Sequence, residues 1–503
     1  MAKVEQSAML ARLTSFATVG IAARKIDVEI AAPPGDGKMI IVGLGDTAVK
    51  ESEQRVRLAL RSSGFRFPTG RRITVNLAPA NLRKAGPHYD LPIAVGLLLV
   101  TGAVEIPLER LESMALLGEL ALDGSLRHIA GVLTAALACR NMGIRTLVVP
   151  AVDAPEGALI EGIDVIGAHH IQELIEILSG AKIPVHIQKK ECGTPPIIDT
   201  DFGDIRGQHA AKRALEIAAA GGHNVLMNGV PGAGKTLLAR ALRGILPPMS
   251  TEESIEVTRI YSVANMLPED APLITARPFR VVHHTASGVS IVGGGQMPGP
   301  GEISLAHRGV LFLDELAEFP PAVLDVLRQP LEDRTITITR AQGSVTFPAD
   351  FTLVAAMNPP EAGKADRRRS RISSPLLDRI DLTIPVDAVD IADLQMKRPI
   401  NAEESAAIRE RVMTARSRQH QRFSDGSIRT NAAMGVQEID ALCSLSGPCA
   451  TLLRTAAEKL ALSARAYHRT IKVARTIADI AGSEEIGTEH IAEALQYRSG
   501  GEI

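Results

Sequence analysis

Eight consecutive residues, Gly229-Val230-Pro231-Gly232-Ala233-Gly234-Lys235-Thr236, carry the most specific chemistry in the chain. Glycines at these spacings let backbone N–H groups turn inward around an anion, and a helix starting at the end of the loop adds partial positive charge. Lys235 then reaches the β- and γ-phosphates of a nucleotide, and Thr236 ligates its Mg²⁺. The flanks agree with a phosphate loop: the apolar run 225–227 precedes it, and a helical pattern over 236–245 follows, stopped by Pro247-Pro248. All eight residues are therefore expected to bind ATP.

Two further strings complete such a site. Val310-Leu311-Phe312-Leu313 is a strand buried on both faces, and Asp314-Glu315 sits at its C-terminal end, where ligands bind in open α/β sheets. Asp314 is expected to hold Mg²⁺ through water and Glu315 to polarise the attacking water. By itself an apolar run followed by Asp-Glu is usually only a strand end; the preceding phosphate loop gives it meaning. The apolar run 351–357 likewise ends in Asn358-Pro359. Asn358 either orients water near the γ-phosphate or closes an ordinary Asn-Pro turn.

The elements that must position these groups fall into three blocks. The first, residues 1–186, mixes β-like stretches (25–30, 39–42, 73–77, 147–149) with helical ones such as 51–60 and is read as an α/β domain. A linker over 187–203, with Lys189, Lys190, Gly193, Pro195 and Pro196, has little periodicity. Residues 204–395 alternate apolar runs with helices, the signature of a mostly parallel sheet. Residues 396–503 have helical periodicity and almost no strand signal. Within the second block, Thr335-Ile336-Thr337-Ile338-Thr339 alternates strictly, turns at 341–344 and extends again through Val345-Thr346-Phe347, a β-hairpin.

Composition narrows the function. The 503 residues have a formal net charge of −2, which excludes a non-specific polycation, so any nucleic-acid contact must come from local basic patches. With no Trp, 4 Tyr and 10 Phe, such contacts should grip phosphates rather than stack on bases. Cys139, Cys192, Cys443 and Cys449 form no Cys-x-x-Cys pair, which supports neither a disulfide framework nor a zinc site. The apolar run 91–104, interrupted by Pro92, Gly96 and Gly102, is too short to span a bilayer and reads as a buried helix. With no signal-peptide core behind Lys3 and Glu5, the expected location is the cytoplasm, with no membrane partner.

The chain resembles the ComM/YifB family of magnesium-chelatase-like AAA+ proteins over nearly its whole length. The resemblance rests on Gly207-Gln208, the phosphate loop, His283-His284-Thr285, Ile291-Val292-Gly293-Gly294-Gly295 and Pro300-Gly301-Glu302-Ile303-Ser304-Leu305-Ala306-His307. It continues through Leu313-Asp314-Glu315-Leu316, Ser374-Pro375-Leu376-Leu377-Asp378-Arg379-Ile380-Asp381, Leu462-Ser463-Ala464-Arg465-Ala466-Tyr467-His468-Arg469 and Lys472-Val473-Ala474-Arg475-Thr476. It implies an AAA+ ATPase core with a C-terminal helical lid, assembled as a homo-hexameric ring with ATP between subunits. Arg379 matches the arginine finger, a task that suits a permanent planar charge; a salt bridge with Asp378 or Asp381 is the alternative. Arg465 matches the sensor-2 arginine of the lid, against a solvated helix face. The 335–347 hairpin resembles the pre-sensor-1 hairpin, where Arg334 and Arg340 would meet DNA phosphates if it faces a pore. Residues 293–301 look like a flexible insertion and are a candidate pore loop. His283 and His284 are adjacent, so on a strand or helix they diverge and make a poor metal pair, with His307 the nearby third candidate. Many family members carry a cysteine cluster between the positions of Asn358 and Arg379; this chain has none there, so no metal is expected, and its basic run 367–371 either touches DNA or is a solvated loop.

The first block, through Leu117-Gly118-Glu119-Leu120-Ala121-Leu122-Asp123-Gly124-Ser125-Leu126-Arg127 and Ile129-Ala130-Gly131-Val132, resembles the S5-like proteolytic domain of Lon. Lon uses a Ser–Lys pair. Here the lysine position is Ala135 and the segment 86–94 holds no Ser, which disfavours an ATP-dependent peptidase and leaves a ring scaffold or a DNA collar. Arg71, Arg72, Arg83 and Lys84 are its candidate phosphate contacts, against ordinary surface charge as the default. The resemblance implies an ATP-driven motor on branched or single-stranded DNA, promoting branch migration when foreign DNA is taken up. A chelatase-like motor remodelling a protein partner shares the same motifs.

Overall fold

The computed structural model describes residues 10–185, 200–268, 271–295, 298–340, 343–359, 372–388, 403–423 and 428–499. They fall into two compact units, one formed by residues up to 193 together with Ser254–Ile274, the other by Thr194–Glu253 and Thr275–Ile503. Residues 254–274 lie in sequence inside the block that begins at 204, yet they pack with the first unit.

The first unit is built on β1 (Leu10–Val19), β2 (Ala22–Ala31), β3 (Met39–Val42), α1 (Thr47–Ser62), β4 (Ile73–Ala78), α2 (Asp90–Val100), β5 (Met114–Leu116), α3 (Val132–Met142), β6 (Thr146–Pro150), β7 (Asp164–Ala168) and α4 (Ile171–Ser179). Its seven strands form one mixed sheet in the order β3-β4-β2-β1-β5-β6-β7. The long β1–β2 hairpin is antiparallel and carries alternately buried residues such as Leu13, Ile26, Val28 and Ile30. α2 is the apolar run noted in the sequence, and its residues are buried apart from Leu99, against the faces of β1 and β2. The segment 254–274 is anchored by Ser262, whose hydroxyl donates to Glu156 at 2.5 Å and accepts from Gly131 N at 3.1 Å. Burial raises the Glu156 carboxyl to about 7, so much of this anchor is held by a neutral acid near neutrality.

The second unit begins with α5 (His209–Gly221), β8 (Val225–Gly229) and α6 (Lys235–Ile245). It continues with β9 (Phe279–Val282), β10 (Val310–Leu313), α7 (Arg328–Asp333), the hairpin β11 (Thr335–Arg340) and β12 (Gly343–Pro348), then β13 (Thr352–Met357) and β14 (Leu382–Val386). Helices α8 (Ser405–Arg422), α9 (Gly447–Lys459), α10 (Ala464–Ala481) and α11 (Thr488–Ser499) close the chain. The five-stranded sheet runs β9-β10-β13-β8-β14 and every pairing is parallel. β8 therefore has later strands on both sides, a topological switch point at the sheet's C-terminal edge. β10 is buried at all four positions, as a strand covered on both faces must be. α6 buries Leu238, Leu242 and Ile245 on one face, the helical spacing that seats it on the sheet. Helix α10 is capped by Ser463, whose hydroxyl accepts from Ala466 N, and buries Ile471, Val473, Ala474 and Ile477 in the same core. Among the described residues no helix is long and apolar enough to cross a membrane.

Candidate functional site

The parallel register brings the chemistry to one edge. Asn228 pairs with Met357, and Leu313 pairs with Ala355, so Gly229, Asp314 and Asn358 emerge at the same end of three adjacent strands. The loop residues then wrap into α6, whose first N–H groups have no intrahelical acceptor and face whatever anion the loop holds. Gly234 caps that helix at φ 88°, a conformation a side chain resists. Gln208 braces the loop from outside, its amide donating to Asp387 O at 2.6 Å and to Ala233 O at 3.4 Å.

Lys235 is buried at 8% exposure, and its ammonium donates to the carbonyls of Gly229 and Val230 and to Asn358 Oδ1 at 2.9 Å. Burial lowers its pKa, opposed by the carboxylates of Asp314 and Glu315. The Thr236 hydroxyl lies 3.3 Å from Asp314 Oδ2. A hydroxyl and a carboxylate converging at the mouth of a phosphate loop form the hard-oxygen pair that Mg²⁺ prefers, so the residues present fit that ion. Asp314 also accepts from Glu315 N at 3.0 Å. Glu315 itself has φ 55°, the left-handed region that costs a branched or long side chain energy, and its half-exposed carboxylate is turned out from the strand end.

That carboxylate meets His284 Nδ1 at 3.0 Å, a partner that spacing did not reveal. Here the expectation of diverging histidines is corrected. His283 and His284 follow β9 in a turn rather than a strand or helix, so their rings lie side by side, 4.1 Å between centroids. Ligand-type atoms of His283, His284 and Glu315 come within 4.8 Å of one another. His307 points elsewhere: it is buried and its Nδ1 accepts from Asp350 N.

Arg379 and Arg465 do not join this cluster. Arg379 O accepts from the side chain of Asn224, the residue just before β8, and Leu382 pairs with Val225 at the start of that strand. Arg379 therefore stands at the opposite edge of the sheet from the loop, a strand length of about 16 Å at roughly 3.3 Å per residue. Its guanidinium is buried and pairs with Glu332 on α7, not with Asp378 or Asp381, and donates to Pro375 O. Arg465, at the first turn of α10, is 3.9 Å from the same Glu332 carboxylate and 61% exposed. The two arginines hold Glu332 below its usual carboxylate range. Glu332 was invisible to spacing because it meets them only through tertiary packing.

Other expectations change as well. Arg334 sits at the base of the hairpin, ion-paired to Asp350 at 3.0 Å, while Arg340 is exposed beside the turn. Where a flexible insertion was expected at 293–301, its described ends pair with each other, Gly293 with Pro300 and Gly294 with Gly299; Gly293 is buried at φ 100°, and a β-carbon there would lie 2.3 Å from Gly299 O. Lys84 is fully buried, its ammonium held by Pro79 O, so it offers no phosphate contact. Ala135 is a buried methyl on α3. The basic run 367–371 lies outside the described residues.

Residues 201–394 match the family described as magnesium chelatase, subunit ChlI; residues 28–153 match subunit ChlI of Mg-chelatase; residues 402–498 match the subunit ChlI C-terminal family. The competence protein ComM of Haemophilus influenzae is 42% identical over 507 residues, covering 97% of each chain. The chain belongs to the ComM/YifB family of magnesium-chelatase-like proteins. YifB of Escherichia coli, uncharacterized, is 41% identical over 495 residues and 96% of each chain. A magnesium-chelatase 67 kDa subunit of Heliobacterium mobile is 30% identical over 202 residues, 34% of this chain and 30% of that one. Membership in the ComM/YifB family implies an AAA+ core and the use of ATP with Mg²⁺.

Proposed function

We propose that this chain is an ATP-hydrolysing ring motor that moves branched or single-stranded DNA, and that it promotes branch migration during uptake of foreign DNA. The observation that carries the ring is the split site. Lys235, Thr236, Asp314, Glu315 and Asn358 gather at one sheet edge, while Arg379 and Arg465 gather at the other. An arginine a strand length from its own phosphate loop can complete only another copy's site. In the assembled site Lys235 and the first N–H groups of α6 bind the phosphates. Thr236 and Asp314 hold Mg²⁺, which supplies charge neutralisation on the phosphate oxygens when bound. Glu315 orients the attacking water, Asn358 steadies both Lys235 and that water, and the neighbour's Arg379 and Arg465 meet the charge that develops on the transferred phosphoryl group.

The DNA role draws on the ComM relative's name and on the exposed Arg340 at the end of the hairpin. A second reading, remodelling of a protein partner, is favoured by the partial likeness to magnesium-chelatase subunits. The deciding assay is ATP-dependent dissociation of a labelled four-way DNA junction by the wild type and by Glu315→Gln. Dissociation by the wild type alone supports the DNA motor. ATP turnover without dissociation, by protein that binds the junction no better than a random duplex, refutes it in favour of protein remodelling.

A further inference from the structure

Behind the sheet, at the edge opposite the phosphate loop, the second unit holds a solvent-open cavity of about 140 Å³. Seven basic side chains line it against three carboxylates, an excess of four positive charges. The pairing explains which cations are spoken for. Glu253 takes Arg277 and Arg429, Asp350 takes Arg308 and Arg334, and Asp381 takes Arg469. Two remain without a carboxylate partner among the described residues. Arg416 reaches only Ala219 O, and Lys472 only Ala432 O. Burial lowers the pKa of both, Arg416 to about 10, so each is a cation held in a place that disfavours its charge.

A partly buried excess of cations is costly unless an anion offsets it. A polar group also waits at the same wall. Thr430 is 6% exposed, and its hydroxyl oxygen, buried in the lining, has no hydrogen-bond partner. Arg469 and Lys472 stand one turn apart on α10, so their heads enter from one side, while Arg416 enters from α8. Guanidinium, ammonium and hydroxyl donors lining one cavity, with Arg416 and Lys472 meeting only backbone carbonyls among the described residues and the Thr430 hydroxyl meeting no partner, form the donor set that oxyanions with several equivalent oxygens recognise. The volume accommodates one tetrahedral ion, or roughly five waters at about 30 Å³ each, and is too small for stacked bases.

We propose that this cavity is a second anion site, separate from the phosphate loop, for a compact phosphate-bearing anion of the inorganic phosphate or pyrophosphate class. Lys472, Arg416 and Thr430 supply its donors. Because its walls come from the sheet edge, α8 and α10, an occupied cavity ties the helices that carry Arg465 to the sheet edge that carries Arg379.

The site is separable from the phosphate loop by experiment. Full-length Lys235→Ala, whose own loop is disabled, is titrated with inorganic phosphate and with pyrophosphate by calorimetry, and its melting temperature is followed at constant ionic strength against chloride. Saturable binding and a raised melting temperature are expected. Adding Lys472→Gln should weaken that binding about tenfold or more, and Thr430→Val a few-fold. Loss of all phosphate binding in Lys235→Ala itself overturns the proposal, because the loop is then the only site. So does unchanged affinity in both added variants when their melts show them folded. If phosphate and pyrophosphate fail to bind while a short single-stranded oligonucleotide binds in a manner sensitive to Lys472→Gln, the ligand is a nucleic-acid backbone and the compact-anion proposal fails. ATP binding by the wild type, lost in Lys235→Ala, reports on the loop independently.

Discussion

Mixing two inactive variants should restore hydrolysis. Glu315→Gln removes the carboxylate proposed to orient water and leaves Arg379 intact; Arg379→Ala does the reverse. Arg379 is tied beside Asn224, a whole strand away from Gly229, so it cannot serve its own loop. Each variant alone should lose about 10³-fold or more in turnover, the range seen when a catalytic arginine is withdrawn from phosphoryl transfer. In rings formed from equal amounts of the two, a working site needs an intact Glu315 in one subunit and an intact Arg379 in the next. Random mixing makes that arrangement in about one quarter of the interfaces, so turnover should rise from near zero to roughly a quarter of wild type. Phosphate release from co-expressed and separately expressed variants measures this. Substituting Arg379 also frees the half-exposed Glu332, a loss of about 1 kcal/mol after solvent screening, which a thermal melt will show to be tolerated. Activity that stays at the level of either variant alone, in a mixture shown to contain both chains in one assembly, refutes the split site. Near-wild-type turnover by Arg379→Ala refutes it more directly.

Three other outcomes follow from the geometry. Asn358→Ala removes the side-chain acceptor of Lys235, so turnover should fall about 10- to 100-fold with little change in nucleotide affinity, read from steady-state kinetics beside equilibrium binding. Phe312, fully buried in β10 and stacked 6.2 Å from Phe279, should cost about 3–5 kcal/mol when replaced by Ala, measured by denaturant unfolding of the second unit. Burial raises Glu156 to about 7 in the folded state, above its ordinary value, so its contribution is full at pH values below the unfolded pKa and is lost as pH rises through about 7. Glu156→Gln, which can still accept from Ser262 and Leu133, should therefore flatten the fall in stability of the first unit between pH 5 and pH 8, by roughly 3 kcal/mol at the upper end. An unchanged slope in a pH series of thermal melts would count against that assignment.

Much of the fold was legible because period and punctuation act locally. The run 39–42 is a strand with those same bounds, the alternating threonines form the expected hairpin, and the helix expected over 236–245 begins one residue earlier, at Lys235. The apolar segment 91–104 is buried as a helix, but it ends at Val100 where Thr101 and Gly102 turn the chain. The strand β1 went unread because its mixed polar sequence, Leu10 to Val19, takes its conformation from pairing with β2 along its whole length. The segment 254–274 could not be assigned to the first unit from sequence: its anchors are Glu156 and Gly131, far away along the chain.

The site divides in the same way. The phosphate loop, Asp314-Glu315 and Asn358 are legible because each is a short string whose chemistry follows from its own residues and the strand before it. Their meeting was implied by a parallel sheet, since parallel strands deliver their C-terminal ends to one edge. What the sequence alone determined was therefore the identity of the groups proposed to handle phosphate and the kind of sheet that carries them. Only the tertiary structure decided who faces whom: His284 against Glu315, Glu332 between Arg379 and Arg465, and two cations in one cavity with no carboxylate partner among the described residues. Spacing along a chain specifies which edge or face a side chain leaves from, whereas an ion pair depends on distances of a few ångströms between segments far apart in sequence, and those distances exist only once the core has packed.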